Sequence, residues 1–113
     1  QRNESGGERR IMYTIEYLPI ARRDMVDIAK YIGVKLANPD AAERLAEKMA
    51  ESAEDLANMP YKCPMYIPVK PLKHEYRKLI VHNYIMFYWI DEDKKLVTIA
   101  RVVYSGRDYE KLL

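Results

Sequence analysis

Apolar residues recur at helical spacing in two stretches of the chain. After Pro19 they fall on one helical face, at Ala21, Met25, Ile28, Ala29, Ile32 and Leu36. After Pro39 they do so again, at Ala42, Leu45, Ala46, Met49, Ala53 and Leu56. Asn38 is suited to cap the second helix, and Met59-Pro60 ends it. The pattern predicts an antiparallel hairpin of two helices of about eighteen residues each, in which Gly33 weakens the end of the first.

Strand-like alternation precedes and follows this hairpin. It predicts one strand before the first helix and three after the second, at residues 12–18, 73–81, 84–90 and 96–104. Short polar steps separate the last three strands, which are therefore expected to form an antiparallel meander. The predicted fold class is α+β, with an N-terminal strand and an antiparallel helical hairpin packed on one face of an antiparallel β-meander sheet.

Two segments do not fit a regular strand or a long helix. Residues 61–71 contain three prolines and are predicted to form a loop, long enough to be suspected of a function. Residues 107–113 are predicted to form a short helical tail. Residues 1–11 lack the apolar core of a signal peptide and are expected to be a disordered leader before a single domain at 12–113.

Neither face of the predicted sheet is polar. Alternation places Tyr84, Met86, Tyr88 and Ile90 on one face, and Ile85, Phe87 and Trp89 on the other. The last strand divides in the same way, with Leu96, Thr98, Ala100, Val102 and Tyr104 opposed to Val97, Ile99, Arg101 and Val103. The helices cover one face, so the other is covered by a loop, covered by a partner or exposed as a binding patch. We expect this second face to receive a protein partner.

Charge is distributed unevenly although the net formal charge is only +2. Residues 12–59 have a net charge of −3 and residues 60–113 a net charge of +4. Such asymmetry is typical of a localised surface for a polyanion or an acidic protein, and equally of ordinary solvated faces. The basic residues that we predict to bind a target are Lys70, Lys73, His74, Arg77 and Lys78.

Several kinds of site are not expected. Cys63 is the only cysteine, which excludes an internal disulfide and indicates a reducing compartment. Two histidines and one cysteine are too few for a convincing metal site, and no glycine-rich phosphate loop occurs, so neither metal nor cofactor is predicted. No apolar run is long enough to span a membrane, and the chain is expected to be cytoplasmic.

Arg77 is the strongest chemical candidate in the basic cluster. Its guanidinium can hold a phosphate with two parallel hydrogen bonds, and His74 or His82 can exchange protons near neutral pH. The alternative is that Arg77 is an exposed strand residue and that the histidines are polar strand ends. We expect an alanine at position 77 to weaken binding and to leave the fold intact. Tyr84 and Tyr88 suit a core, whereas Tyr104 is freer to act.

The chain resembles the RelE/ParE superfamily of type II toxin–antitoxin toxins over residues 12–112. The residues that carry the resemblance are Ala21-x-x-Asp24-x-x-x-Ile28-x-x-Tyr31-Ile32, Asn38-Pro39-x-x-Ala42, Leu56-x-x-x-Pro60, Tyr76-Arg77, Tyr84-Ile-Met-Phe-Tyr88 and Val102-Val-Tyr-Ser-Gly-Arg-Asp108. The resemblance implies a plasmid stabilization toxin that a cognate antitoxin wraps and holds inactive. We expect an acidic, amphipathic antitoxin segment on the second sheet face.

The superfamily divides by target, and this sequence lies nearer to the ParE-like members. RelE-like toxins are ribosome-dependent mRNA endoribonucleases, whereas ParE-like toxins inhibit DNA gyrase. The arginine that follows the tyrosine of the middle meander strand in RelE-like members is replaced here, because Tyr84 precedes Ile85. If the chain is nevertheless a nuclease, the resemblance leaves Arg77, His82, Tyr104 and Arg107 as catalytic candidates. The oligomeric state stays open.

Overall fold

A computed structural model describes residues 12–113, and the predicted leader at 1–11 lies outside them. The elements in chain order are strand β1 (Thr14–Tyr17), helix α1 (Pro19–Lys30) with a π-helical turn (Tyr31–Lys35), helix α2 (Pro39–Asp55), strands β2 (Arg77–Val81), β3 (Tyr84–Asp91) and β4 (Leu96–Tyr104), and a 3₁₀ turn (Glu110–Leu112). The two helices pack on one face of the sheet, and the predicted α+β class is confirmed.

The four strands form one sheet in the order β1–β4–β3–β2. Strands β2, β3 and β4 pair antiparallel as the predicted meander, and β1 is added parallel to β4. The helical hairpin follows β1 directly, so α1 crosses back over the sheet and lies against β4. The first helix and the end of the last strand are therefore neighbours.

Local signals correctly located the break between the helices. The Asn38 Oδ1 accepts a hydrogen bond from the backbone N–H of Ala41 at 3.1 Å, and Pro39 begins α2. The first helix differs from the prediction, because it is α-helical for 12 residues and then widens into the π turn. Gly33 lies in that turn against α2, where an added Cβ would sit 3.6 Å from the Ala42 Cβ. The turn thus brings the helices into close contact.

The core between helices and sheet is continuous and apolar. Met49 and Ala53 of α2, and Leu56 directly after it, pack with sheet residues that include Met86, Tyr88 and Ile99. The fully buried Tyr88 hydroxyl donates to the Pro60 carbonyl oxygen at 2.7 Å. Burial raises the pKa of Tyr88 above its ordinary value, since the phenolate would lose its hydration. This hydroxyl fixes the start of the proline-rich loop.

A β-bulge interrupts the alternation along β4. The pairing with β3 changes register, so that Phe87 lies opposite Arg101 while Tyr88 lies opposite Ile99. Beyond the bulge, Val102 belongs to the helix-side core, and Ala100 belongs with Val103 to the opposite face. The prediction that Ala100 and Val102 share a face is therefore wrong, because the extra residue reverses the assignment of all later positions.

Asp24 of α1 stabilises the bulge. Its carboxylate accepts the backbone N–H of Val102 at 2.9 Å, and it accepts Nε and Nη2 of Arg101 at 2.8 and 2.9 Å. Both side chains are mostly buried, at 15% exposed for Arg101 and 13% for Asp24. The carboxylate raises the pKa of Arg101, so the guanidinium stays charged. One helix residue thereby satisfies a strand N–H and a guanidinium together.

The second face of the sheet is covered by the chain itself. Ile85, Phe87, Ala100 and Val103 are buried there. The covering side chains come from the segment between α2 and β2 and from the C-terminal tail, and they include Tyr66, Leu72, Tyr109, Leu112 and Leu113. The expectation that a protein partner lands on this face is therefore wrong. The proline-rich loop and the tail occupy it instead.

Glu92, in the turn between β3 and β4, joins three parts of the chain. It accepts the hydroxyl of Tyr13 at 2.8 Å and that of Tyr61 at 2.5 Å, and it pairs with Lys95. Tyr13 precedes β1 and Tyr61 begins the proline-rich loop. The Lys95 ammonium, followed by the two hydroxyls, lowers the pKa of Glu92 to about 2. The charged carboxylate is therefore the form that the fold stabilises.

Replacing Glu92 with glutamine is expected to lower the melting temperature at pH 7 and to make it less sensitive to acid. Because the pKa of Glu92 is depressed in the folded state, its contribution is complete above the unfolded value of 4.5. That contribution disappears as the pH falls towards about 2. Thermal unfolding of both proteins between pH 7 and pH 2 tests this. The melting temperatures of Glu92→Gln and the wild type should converge in acid. Asp93→Asn, in the same turn, should have the melting temperature of the wild type.

Candidate functional site

The five basic residues predicted to bind a target do not form one surface. Three of them line a cavity of about 290 Å³, where Lys73, His74 and Arg77 meet Tyr61, Met65, Glu75, Trp89 and Ile90. Lys78 lies on the opposite side of β2, as its alternation predicted, with Nζ 6.0 Å from the centre of the Tyr66 ring. Lys70 belongs to the proline-rich loop, where its backbone N–H donates to Glu110 at 3.4 Å.

His74 forms a flat stack with Trp89. The ring centres are 3.6 Å apart, and the planes differ by 3°. Partial burial, with a smaller contribution from the charge of Lys73, lowers the pKa of His74. The imidazole is therefore neutral at pH 7 and packs as an aromatic ring, with Tyr76 edge-on to both rings.

Arg77 is engaged within the fold and is not a free strand residue. Its Nη1 donates to the carbonyl oxygen of Cys63 at 2.7 Å and to that of Tyr61 at 3.5 Å. The guanidinium carbon lies 5.1 Å from the centre of the Tyr61 ring. These contacts join β2 to the beginning of the proline-rich loop. These contacts replace the expectation that alanine at this position leaves the fold intact with an expected loss of stability.

A larger groove lies between α1 and the end of β4. It has a volume of about 610 Å³ and is lined by Asp24, Asp27, Ile28, Tyr31, Tyr84, Val102, Val103, Tyr104 and Arg107. Tyr31 and Tyr104 are each 53% exposed although both are large and apolar. The ring of Tyr84 meets that of Tyr104 edge-on, with centres 6.0 Å apart. The groove is therefore an aromatic surface with charged groups at its margins.

The geometry separates one of the four candidate nuclease residues, Arg77, from the other three. Tyr104 and Arg107 line the groove, and His82 occupies the two-residue turn between β2 and β3 at a φ of 54°. Tyr104 pairs with Tyr84, whereas Arg77 pairs with Tyr88. Along the strands, four residues separate these positions, roughly 13 Å at the usual rise. Across the sheet, two strand spacings separate them by about 10 Å. Arg77 is thus remote from the other three.

Sequence reasoning identified Tyr104 and Arg107 but missed most of the groove. Tyr31, Asp27 and Tyr84 were not selected, since the groove arises only when α1 returns across the end of the sheet. One signal was available in the sequence. Tyr31 is an aromatic residue outside the apolar stripe of the first helix, where a solvent-exposed ring calls for an explanation.

Two negative findings apply to residues 12–113. No three or more His, Cys, Asp or Glu side chains gather there as a potential metal site. Within the same part of the chain, no helix is long and apolar enough to cross a membrane.

Solved structures from toxin–antitoxin systems share this fold. A chain of the chromosomal ParDE toxin–antitoxin system from P. aeruginosa matches with a TM-score of 0.66 at 17% identity, over 82% of this chain and 96% of that one. The RelBE2 toxin–antitoxin complex from Mycobacterium tuberculosis matches with 0.59 at 23% identity, over 89% and 100%. The archaeal RelE–RelB complex from Pyrococcus horikoshii matches with 0.56 at 14% identity, over 85% and 98%. At these identities the likeness concerns the fold.

The sequence itself matches one family model and no curated protein. The family is described as the ParE toxin of the type II toxin–antitoxin system parDE, and the match extends over residues 15–109. This range begins in β1 and ends just before the final 3₁₀ turn, so it contains both helices, the whole meander and the groove. The chain therefore belongs to the ParE toxin family of type II toxin–antitoxin systems.

Proposed function

We propose that this toxin acts in the cytoplasm as a non-enzymatic inhibitor of DNA gyrase, and that a co-encoded antitoxin neutralises it. The observation that carries this proposal is the placement of the basic residues. Cleavage of RNA needs a base, an acid and a phosphate-binding group around one scissile bond. Here Arg77 is remote from His82, Tyr104 and Arg107 and already donates to the Cys63 carbonyl. The four candidates therefore do not surround one scissile bond, and this separation supports binding over catalysis.

Induced expression without the antitoxin is the first test. Growth should stop, and plasmid DNA from the arrested cells should lose negative supercoiling while total mRNA stays intact by primer extension. Purified toxin should also inhibit supercoiling by purified gyrase. Cleavage of ribosome-bound mRNA, with gyrase unaffected, would replace this proposal with the endoribonuclease alternative.

We further propose that the antitoxin occupies the groove beside α1. The groove has apolar and aromatic walls formed by Ile28, Tyr31 and Tyr104, with Asp27 and Arg107 among its lining residues. Such a surface fits the apolar face of an amphipathic helix whose polar side can contact both charges. The exposed tyrosines are the expected anchors, since aromatic residues often dominate the energetics of interfaces.

Gly106→Ala is expected to weaken antitoxin binding about tenfold, equivalent to about 1.4 kcal/mol, without unfolding the toxin. A Cβ at this position would lie 2.6 Å from Cε2 of Tyr104. Because the Tyr104 ring is half exposed, it can swing aside at little cost in stability, and its place in the groove is lost. Titration calorimetry with the co-encoded antitoxin measures the effect.

Gly33→Ala is the matched control for this variant. Its new Cβ would meet only ordinary contacts, of which the nearest is 3.6 Å away. Alanine favours a helix over glycine by about 1 kcal/mol, so stability should stay level or rise. Antitoxin affinity should stay unchanged. Equal loss of affinity in the two glycine variants, or none in Gly106→Ala, would contradict the assignment of the groove.

A further inference from the structure

The segment between α2 and β2 points some of its apolar residues into the protein and others into solvent. Tyr66 and Leu72 pack in the core of the second sheet face. Ile67 and Val69, between them, are 80% and 90% exposed. These are the two most exposed large apolar side chains of the described residues. Covering the sheet does not explain them, because the residues that cover it point the other way.

The tip of this segment, Ile67-Pro68-Val69-Lys70, is held in a defined shape. The Glu110 carboxylate accepts the hydroxyl of Tyr66, and it accepts the backbone N–H groups of Val69 at 3.2 Å and Lys70 at 3.4 Å. These contacts lower the pKa of Glu110, the Tyr66 hydroxyl contributing most. Pro68 and Pro71 restrict the backbone on either side. The tip therefore presents its apolar side chains in one preferred conformation, which reduces the entropy lost on binding.

The segment that carries the tip has an excess of positive charge. Lys62, Lys70 and Lys73 are exposed in the same segment, which carries Glu75 as its one acidic residue. Glu110 is engaged by Tyr66 and by the loop backbone. A complementary surface would be an apolar pocket bordered by carboxylates. This charge pattern differs from that of the groove, where Asp24 and Asp27 accompany Arg107.

We propose that Ile67-Pro68-Val69-Lys70, the tip, is the segment by which the toxin docks on its target protein, in an apolar pocket bordered by carboxylates. The inference rests on the proposed function only in that the target is a protein. It assigns the tip to the target and leaves the groove to the antitoxin. One toxin can then have two distinct binding surfaces.

The double variant Ile67→Ser/Val69→Ser tests the proposal. Both side chains are solvated in the free toxin, so the melting temperature should stay unchanged. Removing two aliphatic anchors from an apolar pocket should weaken docking about 100-fold. At matched expression, checked by immunoblot, the variant should no longer arrest growth. It should still co-purify with the co-encoded antitoxin.

Val34→Ser is the matched control, because this valine is 79% exposed and lies in the π turn, away from the tip. It should arrest growth as the wild type does. A double variant that arrests growth with wild-type potency overturns the proposal, as does one that loses antitoxin binding in parallel. Loss of binding to phosphatidylglycerol vesicles together with toxicity would make the tip a membrane contact and also overturns it.

The same experiment separates this inference from the gyrase assignment. A wild-type toxin that arrests growth but leaves purified gyrase active rejects gyrase as the target. The double variant then still decides whether the tip is the docking segment, because growth arrest requires no knowledge of the target. If the double variant stays toxic and both proteins inhibit gyrase, only the assignment of the tip as the docking segment is rejected.

Discussion

Replacing Asp24 with alanine is expected to lower the free energy of unfolding by about 3 kcal/mol. The substitution leaves Arg101 mostly buried without its carboxylate, and it removes the acceptor for the Val102 N–H at the bulge. An unpaired buried charge and an unsatisfied backbone donor are both costly. For a domain of this size the melting temperature should fall by more than about 10 °C. Thermal unfolding at pH 7, followed by circular dichroism, measures the effect.

Two variants show whether the loss arises from these bonds. Asp27→Ala changes an exposed carboxylate one turn further along α1, and it should alter stability by less than about 0.5 kcal/mol. Asp24→Asn keeps one oxygen for the Val102 N–H but loses the charge, so it should lie between wild type and Asp24→Ala. If Asp24→Ala has the same melting temperature as Asp27→Ala, the bulge does not depend on the Asp24 carboxylate.

Much of the architecture could be predicted because its causes are local. The Asn38 cap and Pro39 are adjacent to the helix that they begin, and helical periodicity is visible within a few turns. The short steps between meander strands likewise determine which strands pair. The parallel addition of β1 to β4 was beyond such reasoning, since the two strands lie about eighty residues apart in the chain.

The errors have non-local causes. The bulge in β4 is stabilised by Asp24, on a helix that precedes β4 by most of the chain, so alternation within the strand cannot reveal it. The second sheet face was recognised as apolar, but its cover comes from two distant segments. Tyr66 lies in the proline-rich loop, Leu72 directly after it and Leu112 in the tail, and no periodicity there indicates which side chains turn inward.

Arg77 shows the same limit at a candidate site. Alternation correctly placed it on the opposite side of β2 from Lys78. A strand pattern identifies the face of a side chain but not its hydrogen-bond partner. Here the partners are the carbonyl oxygens of Cys63 and Tyr61, in an irregular loop that the pattern does not describe. A residue that suited phosphate binding on chemical grounds is therefore occupied by backbone acceptors.

Arg77→Ala is accordingly expected to destabilise the toxin by about 2 kcal/mol, because it removes a charged donor and leaves the Cys63 carbonyl oxygen without it. The cation–π contact with Tyr61 is lost as well. Urea unfolding at pH 7 measures this change. Lys78→Ala, on the other face of the same strand, should cost less than about 0.5 kcal/mol, since its ammonium lies only loosely over Tyr66.

Toxicity distinguishes the structural role of Arg77 from a binding role. If Arg77 acts by holding the start of the proline-rich loop, its alanine variant should lose stability and toxicity together, and lowering the growth temperature should restore part of the arrest. Arg77→Lys keeps the charge and can reach one carbonyl oxygen, so it should recover part of the stability and a similar share of the toxicity. Full stability with toxicity abolished at every temperature would show that the guanidinium contacts the target itself.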